Sequence, residues 1–388
     1  MSFVAIVAVS LLVCIAHWVY SWWRSQRING KLPPGSMGFP FIGETIQFFT
    51  PYTTRDIPPF IKKRMDRYGS LFRTSIVGYQ IIVSTDPEAN KFIFEQEGKS
   101  FISWYMDSFG NIVGKDNFLF MYGDLHKYIR NLTLSLLGVQ SLREKFLSEM
   151  EDLTSKQLEL WSSQQSVDLK EALSTMIFNF TSKKLFGSGE KNIGKLKESY
   201  VAFLDGLISF PLYIPGTAYW KCIQKEHESI ISSRKRNEFG ITWQEFRSMT
   251  FTHKVINETT RLANIVPGIF RKALKDVKLK EYTIPAGWIV MVCPTTVHLN
   301  PIKYNDPCTF DPWRWKPEEL HTGSENFMVF GGGSRLCAGA DFVKLQMAVF
   351  LHHLVTKYRW NLIKGHFVKK PGLVFPNGFY VQFLKRNL

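Results

Sequence analysis

The densest chemistry in the chain sits in Phe330-Gly331-Gly332-Gly333-Ser334-Arg335-Leu336-Cys337-Ala338-Gly339. Beyond Cys337, the spacing of Phe342, Leu345, Val349 and His352 predicts a helix from about 339 to 357. Amide dipoles at that helix start would face the sulfur and favour the thiolate, the form that ligates metals. Glycines, Gly333 and Gly339 among them, let a backbone come close to a flat partner. A lone cysteine in apolar surroundings is ordinarily inert packing; the loop around Cys337 argues for more. Three other groups have interacting spacing. Glu258 and Arg261 lie three apart in Glu258-Thr259-Thr260-Arg261, on one face of a helix. His126 and Arg130 lie four apart and also share a face. Arg314 sits in Phe310-Asp311-Pro312-Trp313-Arg314-Trp315, and Arg271 in IVPGIFRKA. Taken singly, each pair equally describes a solvated helix face.

Taken together, these pieces resemble the cytochrome P-450 family. The loop matches that family's haem pattern, Phe-x-x-Gly-x-Arg-x-Cys-x-Gly, at every fixed position: Phe330, Gly333, Arg335, Cys337 and Gly339. Glu258 stands 79 residues before Cys337, as the family's Glu-x-x-Arg does. PPGSMGFPFIGET, ISFPLYIPGTAYWKC, INETTRLANIVPGIFRKAL and YTIPAGW are similar to plant members near the brassinosteroid, sterol and triterpenoid oxidases. The resemblance covers nearly the whole chain. It implies haem b (iron protoporphyrin IX) with Cys337 as the axial iron ligand, an electron-rich donor that favours O–O cleavage. It implies that Arg335, Arg130, His126 and Arg271 hold the haem propionates. Glu258, Arg261 and Arg314 would form a buried network fixing the pocket's geometry. Electrons would come from NADPH through a membrane-bound flavoprotein reductase, for which a basic face containing Arg335 and Lys344 is suited. The substrate would be a bulky apolar small molecule, facing Ile265, Val266, Ile269, Phe270, the 101–120 loop and residues 373–375.

Composition agrees with a packed body. Hydrophobic residues make up 45% and charged residues 21% of the 388, enough for a sizeable core and too apolar for wholesale disorder. The net charge of +15 suits an acidic protein or anionic lipid. No zinc-finger spacing or RNA-binding signature accompanies it, so nucleic acid is not an expected partner. The cysteines, Cys14, Cys222, Cys293, Cys308 and Cys337, are odd in number and far apart, which argues against a disulfide framework. Three Asn-x-Ser/Thr sequons, at Asn131, Asn179 and Asn257, are read as chance. Residues 2–23 carry no charge apart from His17, long enough to span a bilayer. Trp18, Tyr20, Trp22 and Trp23 close the run and Arg24, Arg27 and Lys31 follow it. That order predicts a single-pass anchor in the endoplasmic reticulum membrane, with a lumenal N-terminus and a cytoplasmic body.

The expected organisation is an anchor (1–23), a basic, Pro-rich hinge (24–44) and a haem-binding body (45–388). The expected fold is mainly α with small β-sheets. Helices are predicted over 56–69, from Asp86-Pro87, and over 122–139, 141–163 and 167–186. A long helix is predicted from the capping box Thr242-x-x-Glu245 to just before Pro267. Strands are expected over 70–84, turning near Gly78, and over 280–297, with a hairpin in the last 25 residues.

One departure from the family pattern affects the chemistry. The family's long central helix, with an acid and a Thr that deliver protons to bound oxygen, has no counterpart in 131–257. Ala202-Phe203-Leu204-Asp205-Gly206 has no Thr after its acid, and near Cys222 to Glu226 the text jumps from one family segment to a much later one. No distal catalytic residue is therefore assigned. The expected function is a haem-dependent monooxygenase of sterol- or triterpenoid-like substrates. Two alternatives stand beside it: a truncated, catalytically impaired isoform, and a haem-thiolate rearrangement enzyme needing no external oxygen.

Overall fold

The computed structural model describes residues 30–106, 117–186, 240–316 and 324–386, together with residue 16. Apart from residue 16, the expected anchor lies outside the described residues, as do the 202–226 segment and the basic stretch 24–29. Among the described residues no helix is long and apolar enough to cross a membrane.

The helices are α1 (Pro59–Tyr68), α2 (Pro87–Glu95), α3 (Gly123–Leu137), α4 (Leu147–Ser162), α5 (Leu169–Phe186), α6 (Trp243–Ser248), α7 (Thr250–Ala263), α8 (Pro294–His298) and α9 (Ala340–Lys357). The strands are β1 (Leu71–Ile76), β2 (Tyr79–Ser84), β3 (Phe101–Ser103), β4 (Val167–Asp168), β5 (Ile269–Ala273), β6 (Val277–Leu279), β7 (Tyr282–Ile284), β8 (Ile289–Val292), β9 (Tyr358–Gly365), β10 (Val368–Lys369), β11 (Leu373–Val374) and β12 (Phe379–Lys385). The fold is thus mainly helical with small sheets.

Two compact units divide the chain. The first comprises Met1–Lys127, Pro267–Asn300 and Gly323–Leu336. Its centre is a five-stranded sheet in the order β1-β2-β8-β5-β3, with β2 and β8 parallel. Both faces of this sheet are covered. Ile82, Val290 and Val292 enter one core with Phe94 and Phe101, while Ile81, Val83, Ile289 and Met291 enter another with Phe60 and Phe72. Strands buried on both faces read as continuous apolar runs, which is what β2 and β8 are. Gly78, at φ 77, makes the tight β1–β2 turn. Asp86 caps α2 by accepting from the Ala89 amide at 2.9 Å, with Pro87 as the first helical residue.

The second unit comprises Tyr128–Val266, Pro301–Thr322 and Cys337–Leu388. Its sheet has the order β4-β12-β9, and α4, α5, α7 and α9 pack around it through Leu158, Trp161, Met176, Val255, Phe350 and Phe383. The terminal hairpin is present as β10 against β11.

One helix expectation and one strand expectation are corrected. The long helix from Thr242 is two helices. The capping box forms, with Thr242 and Glu245 bonded reciprocally, but Met249 leaves helical geometry at ψ 57 and is wholly buried there. The expected division between the 122–139 and 141–163 helices falls at Gly138, and the second of them begins with a π-turn (Leu142–Phe146) leading into α4. Finally, 294–298 is the short helix α8, because Pro294 fits a first helical turn and cannot donate to a sheet ladder.

Candidate functional site

Cys337 is exposed and free, while Cys293 is buried and Cys308 half-buried. Burial pushes the Cys293 thiol up to about 12, against opposing hydrogen bonds from Thr296, so it stays a neutral packing group. Helix α9 begins at Ala340, just beyond Cys337, as the sequence predicts. A side chain on Gly339 would meet the Cys337 sulfur at 3.9 Å, so glycine there leaves the sulfur uncovered.

The glycines before the cysteine pack closely on α2. A Cβ on Gly332 would lie 2.7 Å from the Phe94 ring, and one on Gly333, at φ 63, would overlap the Phe94 carbonyl. These two residues are small so that the loop can seat on the end of α2. A Cβ on Gly331 would make only an ordinary contact, its nearest neighbour being Ile269 at 3.7 Å. The start of the loop is pinned by His298, whose Nε2 accepts from the Met328 amide at 3.0 Å. Phe330 is half-buried.

Arg335 and Arg271, both predicted to hold an anion, share one carboxylate that the sequence reading missed. Arg335 Nε donates to Glu97 Oε1 at 3.0 Å and its Nη2 to the Met121 carbonyl. Arg271 Nε lies 2.7 Å from Glu97 Oε2. The side chains of Glu97, Arg271 and Arg335 are 6%, 5% and 11% exposed. Glu97 is itself fixed to β3, because its Oε1 also accepts from the Ser103 amide at 3.1 Å and hydroxyl at 3.3 Å. Burial lowers the Arg271 pKa, and Glu97 opposes that shift. Burial raises that of nearby Tyr105, against the pull of the two arginines.

The same inventory recurs, wired differently, around Glu258. Arg261 grips Glu258 with two bonds, Nε to Oε2 at 2.8 Å and Nη2 to Oε1 at 2.7 Å. Arg314 Nε adds a third at 3.1 Å, the Asp311 amide a fourth at 2.9 Å and the Trp315 indole a fifth at 3.0 Å. Both arginines spend their remaining donors on carbonyls of Asn305, Asp306, Pro307 and Thr309. The side chains of Glu258 and Arg261 are 0% exposed. This network carries the same surplus of one positive charge, but backbone carbonyls take up its spare donors, as expected of a structural element.

His126 and Arg130 share α3, the first buried and the second half-buried. Ile265, Ile269 and Phe270 are half-buried and Val266 is exposed. Leu373 and Phe375, expected to face a substrate, are instead core residues, Phe375 stacking edge-on with Phe367 and Phe379. The expected basic face is also corrected: Arg335 is spent on Glu97, and burial pushes Lys344 down to about 8, with Asp341 opposing. Asn257 is buried, so its sequon cannot be glycosylated in the folded chain.

Around Glu97, two buried guanidinium groups face one carboxylate. That leaves a surplus positive charge, and neither Arg271 Nε nor Glu97 Oε2 makes a hydrogen bond. A buried charge excess calls for a counter-ion.

The family description "Cytochrome P450" matches residues 33–212 and 219–377. The chain belongs to the cytochrome P450 family, whose members carry haem. Cytochrome P450 87A3 of Oryza sativa subsp. japonica is 43% identical over 459 positions, covering 96% of this chain and 89% of that protein. Cucurbitadienol 11-hydroxylase of Siraitia grosvenorii is 36% identical, covering 96% of each. Beta-amyrin 16-alpha-hydroxylase CYP87D16 of Maesa lanceolata is 35% identical, covering 97% of each. Among solved structures, the retinoic acid-bound cyanobacterial CYP120A1 matches with a TM-score of 0.75 at 22% identity, over 92% of this chain and 100% of that one, which shows the shared fold. The rice alignment has 459 positions, yet 96% of 388 residues is about 372, so about 87 positions have no residue of this chain opposite them. The family match is interrupted between 212 and 219.

Proposed function

We propose that this chain is a haem-thiolate monooxygenase of triterpenoid- or sterol-like substrates, with Cys337 as the iron ligand. The observation that carries this reading is the exposed Cys337 thiol on a loop shaped by Phe94, two residues after an arginine held in a cluster with surplus positive charge. Arg335, Arg271, His126 and Arg130 bind the cofactor's carboxylates. Phe330, Gly333 and Gly339 shape the loop, and Glu258, Arg261 and Arg314 hold the surrounding fold. When bound, the haem supplies the activation of molecular oxygen. Val266, Ile269 and Phe270 present apolar surface to the substrate and help to exclude water. The names of two relatives, acting on cucurbitadienol and beta-amyrin, and of a third, "Cholesterol 22-monohydroxylase CYP90B52", support a polycyclic substrate. Residues 2–23 anchor the chain in the endoplasmic reticulum membrane, and an NADPH-dependent flavoprotein reductase supplies electrons.

A second reading is a catalytically impaired form that lacks the central distal helix. The alignment positions without a residue support it, as does an apolar stripe on α3: Leu125, Tyr128, Leu132 and Leu136 are all exposed at helical spacing. Under this reading general-acid delivery has no residue to perform it.

The test is a reduced, carbon monoxide-bound difference spectrum of the 388-residue chain in microsomes, beside Cys337→Ala. The leading reading expects a thiolate-type Soret band in the first and none in the second. An inactive-type band, or none in either, overturns it in favour of the second reading.

A further inference from the structure

We propose that Glu97 is a positioning residue that makes Arg271 and Arg335 into a clamp for one carboxylate of the cofactor. This rests on the haem reading above.

The argument begins with what holds Glu97. Its Oε1 accepts from both the amide and the hydroxyl of Ser103, so the carboxylate is tied to the backbone of β3 and not to a mobile loop. Ser103 is the direct partner of Arg271 in the β3–β5 ladder. Sheet register therefore brings Glu97 to Arg271. Arg335 arrives from the cysteine loop and gives its Nε to the same oxygen that Ser103 binds.

Glu97 meets both arginines at their Nε edge. Of the outer nitrogens, Arg271 Nη1 donates to the Phe270 carbonyl at 2.9 Å and Arg335 Nη2 to the Met121 carbonyl. Arg271 Nη2 and Arg335 Nη1 have no acceptor among the described residues. The Phe94 ring supports the Arg271 guanidinium at 5.3 Å and keeps it from swinging. The product is two fixed guanidinium groups with one outer nitrogen each to spare.

Charge sets the stoichiometry. Two arginines and one glutamate leave a surplus of one positive charge, which one carboxylate neutralises. Without Glu97 the arginines would repel each other, Arg335 would lose its hydrogen bond and Arg271 its ion pair. The Glu258 network is the contrast: there, carbonyls of residues 305–309 consume the spare donors and nothing is left for a ligand.

The experiment is an equilibrium titration of the full chain with iron protoporphyrin IX and with its dimethyl ester, which lacks both carboxylate charges. Wild type, Glu97→Gln, Glu97→Asp and Ser103→Ala are compared, with the Cys337-dependent Soret band as the signal. In the wild type the free acid binds more tightly than the ester. In Glu97→Gln that preference falls about tenfold while ester affinity is unchanged, because losing the aim of one charge-assisted arginine contact to the cofactor outweighs the added positive charge. Glu97→Asp restores part of it, and Ser103→Ala lowers it severalfold. Should Glu97→Gln fail to fold, Ser103→Ala carries the test alone. An unchanged acid-to-ester preference in variants that keep the Cys337-dependent band overturns the clamp and leaves the haem reading standing. Absence of that band in the wild type, with either porphyrin, overturns both.

Discussion

Glu258 is wholly buried and accepts from two arginines, an indole and a backbone amide. Such a carboxylate is costly to leave half-made. Glu258→Gln keeps the volume and removes the charge, stranding two guanidinium groups in the interior. The expected loss is about 3–5 kcal/mol, read as a fall in the urea midpoint. A loss within about 1 kcal/mol, the scale of an exposed pair such as Lys62–Asp56, would show that the network is dispensable. Lys344 makes a pH-dependent case. Its folded pKa, about 8, lies below its ordinary 10.5 because burial disfavours the charged form. Below about pH 8 both folded and unfolded chains carry the charge, so its burial cost is felt in full. Between about 8 and 10.5 the unfolded chain binds a proton that the folded chain has released, so stability rises with pH. Lys344→Met should therefore be the more stable protein at pH 7, by up to about 3 kcal/mol, and the gap should close above pH 10.5. A gap independent of pH would sink this account. The two carboxylates also differ in legibility. Glu258 stood out because Arg261 lies one turn away on the same helix. Glu97 is marked by nothing nearby in sequence, since its arginines come from a paired strand and a loop more than two hundred residues on in the case of Arg335.

At the scale of elements, local signals were read where local chemistry decides. The β1–β2 hairpin, the Asp86 cap and the Thr242 capping box all rest on residues within a few positions of one another. The break at Met249 was not legible, because apolar spacing runs through α6 and α7 without a Pro or Gly to interrupt it. Tertiary burial of Met249 decides it instead. The glycine loop was legible as a loop, but its partner was not: Phe94 lies far upstream, and only the fold brings its carbonyl under Gly333. This assigns different costs to neighbouring glycines. Gly333→Ala must displace the backbone of α2 and adopt φ 63, and should cost several kcal/mol. Gly331→Ala, at φ 80 but with only an ordinary contact, should cost only about 1–2 kcal/mol. Thermal unfolding of the two apo variants measures this, and equal losses would refute the Phe94 seat.

At the scale of the whole molecule, the chain retains the family's holding elements on both sides of a gap of about 87 alignment positions. Residues 187–239 lie outside the described ones; among the described residues, α3 carries an exposed apolar stripe. Leu132 and Leu136 are exposed there beside Leu125 and Tyr128. A folded chain with this stripe should bind an environment-sensitive hydrophobic dye strongly. Leu132→Glu with Leu136→Glu should cut the fluorescence severalfold and shift stability by no more than about 0.5 kcal/mol per site. Unchanged dye binding would mean that the stripe is covered. The seat on Phe94 bears on biosynthesis as well. A loop curved by the polypeptide itself keeps its shape before any cofactor arrives, so the ribosome can release a finished apoprotein and loading can follow at leisure.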